Sequence, residues 1–273
     1  MLKMTLNELC QKIELQPEIL TTVMDFSNEF DFQTVEKQLS ELTEYDTAAA
    51  AYKTVTELLG DDPSGLKVLT CYLKAALMTH VKYAEKGIDD EIYFDTMKCF
   101  TRFVGECFER RGIWGFVNAN WAYRHLNTSL VRIGALEFER TVRNGEPAVS
   151  VHIPSNADLS KESLDASFSA ARRFLKNYYP DYAEAPIFCE SWLMYPGLHD
   201  LLNPDSKILH FQSRFEIKQV NPISKNALTY IFHRADCSDY SSLPESSSLQ
   251  RKAKALLLSG GNIGSAYGVL KEI

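Results

Sequence analysis

The sequence predicts an α+β chain: an all-helical first part over residues 1–126, then a mixed β-sheet with helices over residues 127–273, in the order β-β-α-β-α-β-β-α. Three observations predict it. Apolar residues recur at helical spacing through the first part, as Leu6, Leu9, Cys10 and Ile13 do. Near residue 127 the period changes, and β-branched and aromatic segments with frequent alternation take over. RNGEP, residues 143–147, is a strong hairpin signal, and one clean amphipathic helix follows it.

The helices come first. LNELCQKIEL opens the chain's pattern, and Pro17 suits the first turn of a second helix, PEILTTVMDF. FQTVEKQLSEL repeats the stripe at Phe32, Val35, Leu39 and Leu42. DDPSG is a turn. The helix after it, LKVLTCYLKAALMTHVKYAEKG, is apolar nearly all round and stops at Gly87, which predicts a central place in a bundle. DDEIYFDTMKCFTRFVGECFERRG starts on acids and ends on Arg110 and Arg111, matching the helix dipole. WGFVNANWAYRHL supplies a further aromatic helix or turn.

In the second part VRIGALEFE, PAVSVHI, PIFCESWLM, ILHFQSRFEIKQV and ALTYIFH read as strands. In HFQSRFEIKQV, Phe211, Ser213, Phe215 and Ile217 share one face, and Gln212, Arg214, Glu216 and Lys218 the other. SKESLDASFSAARRFLKNYY is a helix with Ser160 as its N-cap and a stripe of Leu164, Phe168, Ala171, Leu175 and Tyr178. YPGLHDLLNP is a short helix, and SSSLQRKAKALLLSGG closes the chain with a helix and a glycine stop. A hairpin followed by a β-α-β crossover makes the two strands flanking the long helix parallel. Such strands can splay, and the gap then offers backbone groups to an extended ligand.

Composition narrows the function. The chain has 273 residues, 45% hydrophobic and 24% charged, enough for an ample core without covalent staples. Lys plus Arg number 29 against 36 Asp plus Glu, a net charge of -7, which disfavours a nucleic-acid partner. The six cysteines form no C-x-x-C pair and no metal-ligand spacing is evident, so no metal is expected. No apolar run is long enough to cross a bilayer, and no signal-peptide core opens the chain, so the sequence predicts a cytoplasmic protein without a membrane partner.

RIGALEFE, HIPSNADLSKESLDASFSAARRFL, CESWLMYPGL, SKILHFQSRFEI and SSLQRKAKALLLSGG together resemble an acyltransferase-domain family that pairs a helical N-terminal domain with a GNAT-like C-terminal domain. The resemblance spans most of residues 112–261, with the motifs in the family's order. It implies a GNAT-like sheet, an acyl-CoA or CoA-type thioester as donor, and direct transfer of the acyl group to an amine. Its partners would be a small-molecule acyl donor and an amine acceptor. GNAT proteins place a glycine-rich turn before the central helix to wrap a pyrophosphate. By that likeness Ile153, Ser155, Asn156 and Ser160 are the cofactor-binding candidates. The segment Pro154–Ser160 departs from the pattern: it has no glycine, Asn156 is its one residue suited to a left-handed turn, and Asp158 adds negative charge where a diphosphate would sit.

Candidate chemistry is weighed residue by residue. His152 shares a strand face with Ala148 and Ser150 and is a general-base candidate, or a hydrogen-bonded histidine at a strand end. Glu137 and Glu139 lie on one face of the first strand; either carboxylate suits an amine's proton, or they are an exposed pair or a partner for arginine. Glu190 sits in an otherwise apolar strand, where a buried acid is costly unless paired, which marks it as a catalytic candidate. Cys189 reads as a small buried thiol ahead of an acyl carrier. Trp192 and Tyr195 are pocket-lining candidates or packing residues, and Arg214 is placed to hold a carboxylate or phosphate, or to face solvent. The alternative to an enzyme is a non-catalytic GNAT-like protein that binds a small metabolite or peptide between its domains.

Overall fold

A computed structural model describes residues 4–233 and 237–271. One compact unit ends at Ile133 and a second begins at Gly134. The first unit is helical: α1 Leu6–Lys12, α2 Pro17–Glu29, α3 Glu36–Leu42, α4 Ala48–Leu59, α5 Leu66–Glu85, α6 Asp90–Met97, α7 Cys99–Arg111 and α8 Ala119–Leu126, followed by the strand β1 Leu130–Ile133. Helix α1 starts on a capping box in which Thr5 and Glu8 satisfy each other's backbone N–H groups. Helix α5 buries Leu69, Tyr72, Leu73 and Ala76 fully, as its all-round apolarity requires. Gly65 precedes it at φ +71, where a Cβ would lie 1.9 Å from the Phe116 carbonyl oxygen, so only glycine fits this turn. The segment read as one helix over DDEIYFDTMKCFTRFVGECFERR is two, divided at Lys98. The division leaves Thr96 Oγ1 to accept the N–H of Arg132 at 3.0 Å, which ties β1 to α6.

The second unit runs β2 Leu136–Arg143, β3 Glu146–His152, α9 Lys161–Tyr178, β4 Ile187–Ser191, α10 Leu198–Leu201, α11 Lys207–Ser213, β5 Phe215–Asn221, α12 Asn226–Phe232, α13 Ser248–Leu258 and β6 Ser265–Leu270. Within this unit the strand order is β2-β3-β4-β6-β5. Strands β2 and β3 pair antiparallel around Asn144 (φ 55) and Gly145 (φ 85), the two left-handed residues of a primed turn. Strands β3 and β4 are parallel across α9, and β6 is antiparallel to both β4 and β5. This is the mixed sheet expected after a helical domain, with a different order of elements at its end.

Three sequence expectations are corrected. ILHFQSRFEIKQV is not one strand: Ser206 caps a helix over Lys207–Ser213 by accepting the N–H of Ile208, and the strand starts only at Phe215. Arg214 is therefore the C-cap of a helix and not a residue of a strand face. ALTYIFH is a helix, because Ala227, Leu228, Ile231 and Phe232 are buried at helical spacing despite their β-branched and aromatic character. The chain does not close on a helix: SAYGVL forms β6 and inserts between β4 and β5. Smaller still, VRIGALEFE is two strands, parted at Gly134 (φ 62).

One face of the sheet is covered by α9, where Phe168 meets Phe138 edge-on at 5.9 Å and Phe215 at 6.1 Å. Leu164, Phe168, Ala171 and Leu175 are buried, the stripe the helix pattern sets. A second cluster, with Leu198, Leu209, Leu228, Ile231 and Leu257, joins α10–α13, and Trp192 and Tyr195 pack against it. No helix among the described residues is long and apolar enough to cross a membrane.

Candidate active site

The site is built where β3 and β4 part. Their register is Val149↔Ile187 and Ser150↔Phe188, and there the ladder stops. Yet β3 runs on to His152 on the β2 side, and β4 runs on to Ser191 on the β6 side. The parallel register thus ends before either strand does.

The hairpin register decides which side chains stand beside it. Glu137 faces His152 and Glu139 faces Ser150, and cross-strand partners share a face. His152 Nε2 lies 2.8 Å from Glu139 Oε2, and the two side chains are 24% and 18% exposed. The carboxylate accepts the Nε2–H, which fixes the ring's orientation. Glu137 is buried at 4% exposure. Thus the structure brings Glu137, Glu139 and His152 together on the sheet face opposite α9. Glu139 was the least marked of the three in the sequence. Its signal was there: the Asn-Gly turn fixes the hairpin register and makes Glu139 a diagonal neighbour of His152.

Glu190 shares the face of His152, since Ser150 pairs with Phe188. Its side chain is 62% exposed and lies 3.8 Å from Arg143 Nη1, so the buried acid expected from its apolar neighbours is not found. Cys189 points to the α9 side. Arg143 reaches across the open face from the hairpin end and lies over the rings of Tyr267 at 3.9 Å and Phe188 at 5.2 Å. A cavity of about 340 Å³ lies beside it, with Tyr267, Lys218, Pro147 and Pro186 among its lining. Cys189 is fully buried, and burial, with the charge of Glu190 second, pushes its thiol far above the ordinary range, the state of a small buried core thiol.

Trp192 and Tyr195 flank a single turn of 3₁₀-helix after β4. Trp192 stacks on Tyr230 at 6.4 Å, and Tyr195 packs so tightly that a Cβ on Gly197 would meet its ring at 2.6 Å. Both pack against the α10–α13 cluster at the end of β4. Arg214 donates to Asp165 Oδ1 at 2.5 Å and to the Lys161 carbonyl at 3.3 Å, and its side chain is 13% exposed. It braces the first turns of α9.

The loop between β3 and α9 holds Ile153, Ser155, Asn156 and Ser160. Ser160 is the N-cap, its side chain accepting the N–H of Ser163. Asn156 does not take the left-handed conformation. Asp158 fills the helix end. Its Oδ2 accepts from Ser160 Oγ at 2.6 Å and Ser163 Oγ at 2.7 Å, and its Oδ1 accepts from the Ser160 N–H at 3.0 Å and from Lys207 Nζ at 2.8 Å. Lys207 foremost, then the two hydroxyls, holds this carboxyl far below the usual carboxylate range. The carboxylate thus occupies the first turn of α9, with Lys207 as its ion-pair partner. Among the described residues no group of three or more His, Cys, Asp or Glu could hold a metal.

Against this geometry stand the comparisons. Residues 4–128 match the family described as the N-acyltransferase N-terminal domain, and residues 130–270 match the GNAT-like C-terminal domain. The chain belongs to this family. Two of the solved structures that share its fold are a crystal structure of an acyltransferase mutant in complex with octanoyl-CoA and one of an acyltransferase in complex with CoA and 10C-teicoplanin. Each is 21% identical with a TM-score of 0.80; the first covers 98% of this chain and 87% of its own, the second 97% and 87%. A third, in complex with decanoyl-CoA and teicoplanin, is 20% identical with a TM-score of 0.71, covering 98% of this chain and 99% of its own. No curated protein sequence matches the chain. The GNAT-like family and its two-part organisation, expected from the motifs, are therefore those of this chain.

Proposed function

We propose that the protein is an acyltransferase that moves an acyl group from a thioester of the acyl-CoA type to an amine, at the opening between β3 and β4. The observation that carries this reading is the ladder's end at Ser150↔Phe188, with the Glu139–His152 pair standing on β2 and β3 beside it. Family membership and the fold shared with acyltransferases bound to CoA and acyl-CoAs support it.

The chemistry follows from the groups present. Strand edges beyond the ladder offer backbone N–H groups to the thioester carbonyl, where negative charge develops. The amine nitrogen attacks that carbon; the C–N bond forms, the C–S bond breaks, and the sulfur leaves as a thiolate. The attacking nitrogen loses its proton to the His152 imidazole, and Glu139 stabilises the imidazolium. Glu137 adds a second carboxylate to the same face. A proton then returns to the thiolate. The octanoyl and decanoyl chains of the structural neighbours' ligands make medium-chain thioesters the first donors to try.

The test is release of free thiol from octanoyl and decanoyl thioesters in the presence of a panel of primary amines, followed by mass spectrometry of the acylated amine. Amine-dependent thiol release with a matching amide product is expected. Thiol release that no amine accelerates would sink the transferase reading.

A further inference from the structure

The sheet face that carries His152 has a second feature at its other end. Arg143 and Glu146 close the β2–β3 pairing at the turn, and His152 stands at the opposite limit of the same pairing. The cavity of about 340 Å³ lies at the turn end, within the size range of small-molecule pockets. Its lining residue nearest to His152 along β3 is Ala148, about 14 Å away at the rise of an antiparallel strand. Two cations serve this cavity, and local structure delivers each of them. Arg143 faces Glu146 across the turn, yet no ion pair joins the two among the described residues. The guanidinium lies instead over the Tyr267 ring at 3.9 Å, and its one carboxylate contact, Glu190 at 3.8 Å, is too long for a hydrogen bond. The ring covers a face of the cation and leaves its donor edge unspent. Lys218 is the extra residue of a β-bulge: Ile217 pairs with Gly268 and Gln219 with Tyr267. A bulge sets two successive residues against one partner, so Lys218 and Gln219 both reach the cavity.

We infer that this cavity binds a small organic carboxylate with an apolar body. The carboxylate takes the donor edge of Arg143 with Lys218 beside it, and the body lies between the Tyr267 ring and the walls made by Pro147 and Pro186. A planar carboxylate matches the guanidinium fork with two parallel hydrogen bonds. A phosphate is disfavoured by its higher charge, because Glu190 stands beside Arg143 and Glu146 is part of the lining. Lys218 keeps Glu216 as an ion-pair partner at 2.6 Å, so it adds attraction while Arg143 supplies the directed bonds. The site is separate from the opening between β3 and β4 and stands without the thioester chemistry.

The experiment is calorimetric titration of the full chain with N-acetylphenylalanine, with its uncharged amide and with inorganic phosphate. The wild type is expected to bind the acid about tenfold tighter than the amide, a difference of about 1.4 kcal/mol, and phosphate more weakly than the acid. Arg143→Gln should bring the acid to within about twofold of the amide, while Lys218→Gln, at an exposed position whose change leaves the fold intact, should weaken the acid about threefold. Each variant's Tm is recorded beside its titration. Equal affinity of the wild type for acid and amide, or no binding of the acid, overturns the site, and this comparison needs no variant. Wild-type affinity for the acid in Arg143→Gln overturns the role of Arg143. Phosphate that binds as tightly as the acid overturns the carboxylate class.

Discussion

Strand β4 has two neighbours and treats them differently. Toward β6 it is registered from Phe188 through Ser191, while toward β3 the register ends at Phe188. Side-chain chemistry explains the contrast. On the β6 side Gly268 faces Cys189 and lets Met194 and Phe215 close over the pair; a Cβ there would lie 2.9 Å from Met194 Cε and 3.1 Å from Phe215 Cβ. On the β3 side the register with β4 ends at Ser150, although β3 stays paired to β2 through His152. The antiparallel side thus stays paired to the end of β4, and the parallel side ends its pairing after Ser150↔Phe188. The opening is a local consequence of a few residues in an otherwise continuous sheet, and it places the strand end that carries His152 at its edge.

If the open side is where chemistry happens, the largest effect belongs to His152. His152→Ala is expected to lower amine-dependent thiol release about 10²- to 10⁴-fold, the usual contribution of a positioned general base, with Tm little changed. Retention of the wild-type rate would break the link between the opening and the reaction. On the covered side the effect should be one of stability alone. Phe168 is fully buried between Phe138 and Phe215, and Phe168→Ala should cost roughly 3–5 kcal/mol in denaturant unfolding. A cost under about 1 kcal/mol would mean that α9 does not hold the sheet as its packing indicates. Gly268→Val probes the closed ladder itself. Overpacking against Met194 and Phe215 should cost about 1–3 kcal/mol without a change in rate that exceeds the loss of folded protein.

Much of this contrast was legible in the sequence, and the illegible parts have physical causes. The Asn-Gly turn and the alternation of β2 and β3 set the register that brings Glu137, Glu139 and His152 together. Ser160, the stripe from Leu164 to Leu175 and the crossover rule gave α9 and the parallel pair. What failed were segments whose composition argues one way and whose burial argues another. Ile208, Phe211 and Phe215 look strand-like in a row, but Ser206 caps a helix first. Ala227–Phe232 is rich in β-formers and is helical because its buried positions are one turn apart. SAYGVL is short, contains a glycine and follows a glycine-rich stop, so its strand is made by pairing with β4 and β5 and not by propensity. Glu190 misled for a related reason: apolar neighbours in sequence do not by themselves bury a side chain, and this one stands exposed beside Arg143.

The smallest effect lies at the far rim of the opening, where Asp158 meets Lys207. Lys207, then Ser160 and Ser163, lowers the Asp158 pKa in the folded chain below its unfolded value of about 3.9. A carboxyl with a depressed folded pKa contributes stability that is present above the unfolded value and is lost as pH falls through the folded one. Both partners are more than half exposed, 52% for Asp158 and 66% for Lys207, so screening keeps the contribution slight. Asp158→Asn removes the ion pair and keeps the cap. The Tm of the wild type should therefore exceed that of Asp158→Asn at neutral pH, and the gap should narrow as the pH is taken below about 4. It should also narrow in high salt at neutral pH. A gap that stays constant through the acid range would show that Asp158 holds the α9 terminus as a neutral hydrogen-bonding group and that its charge contributes nothing to the helix end.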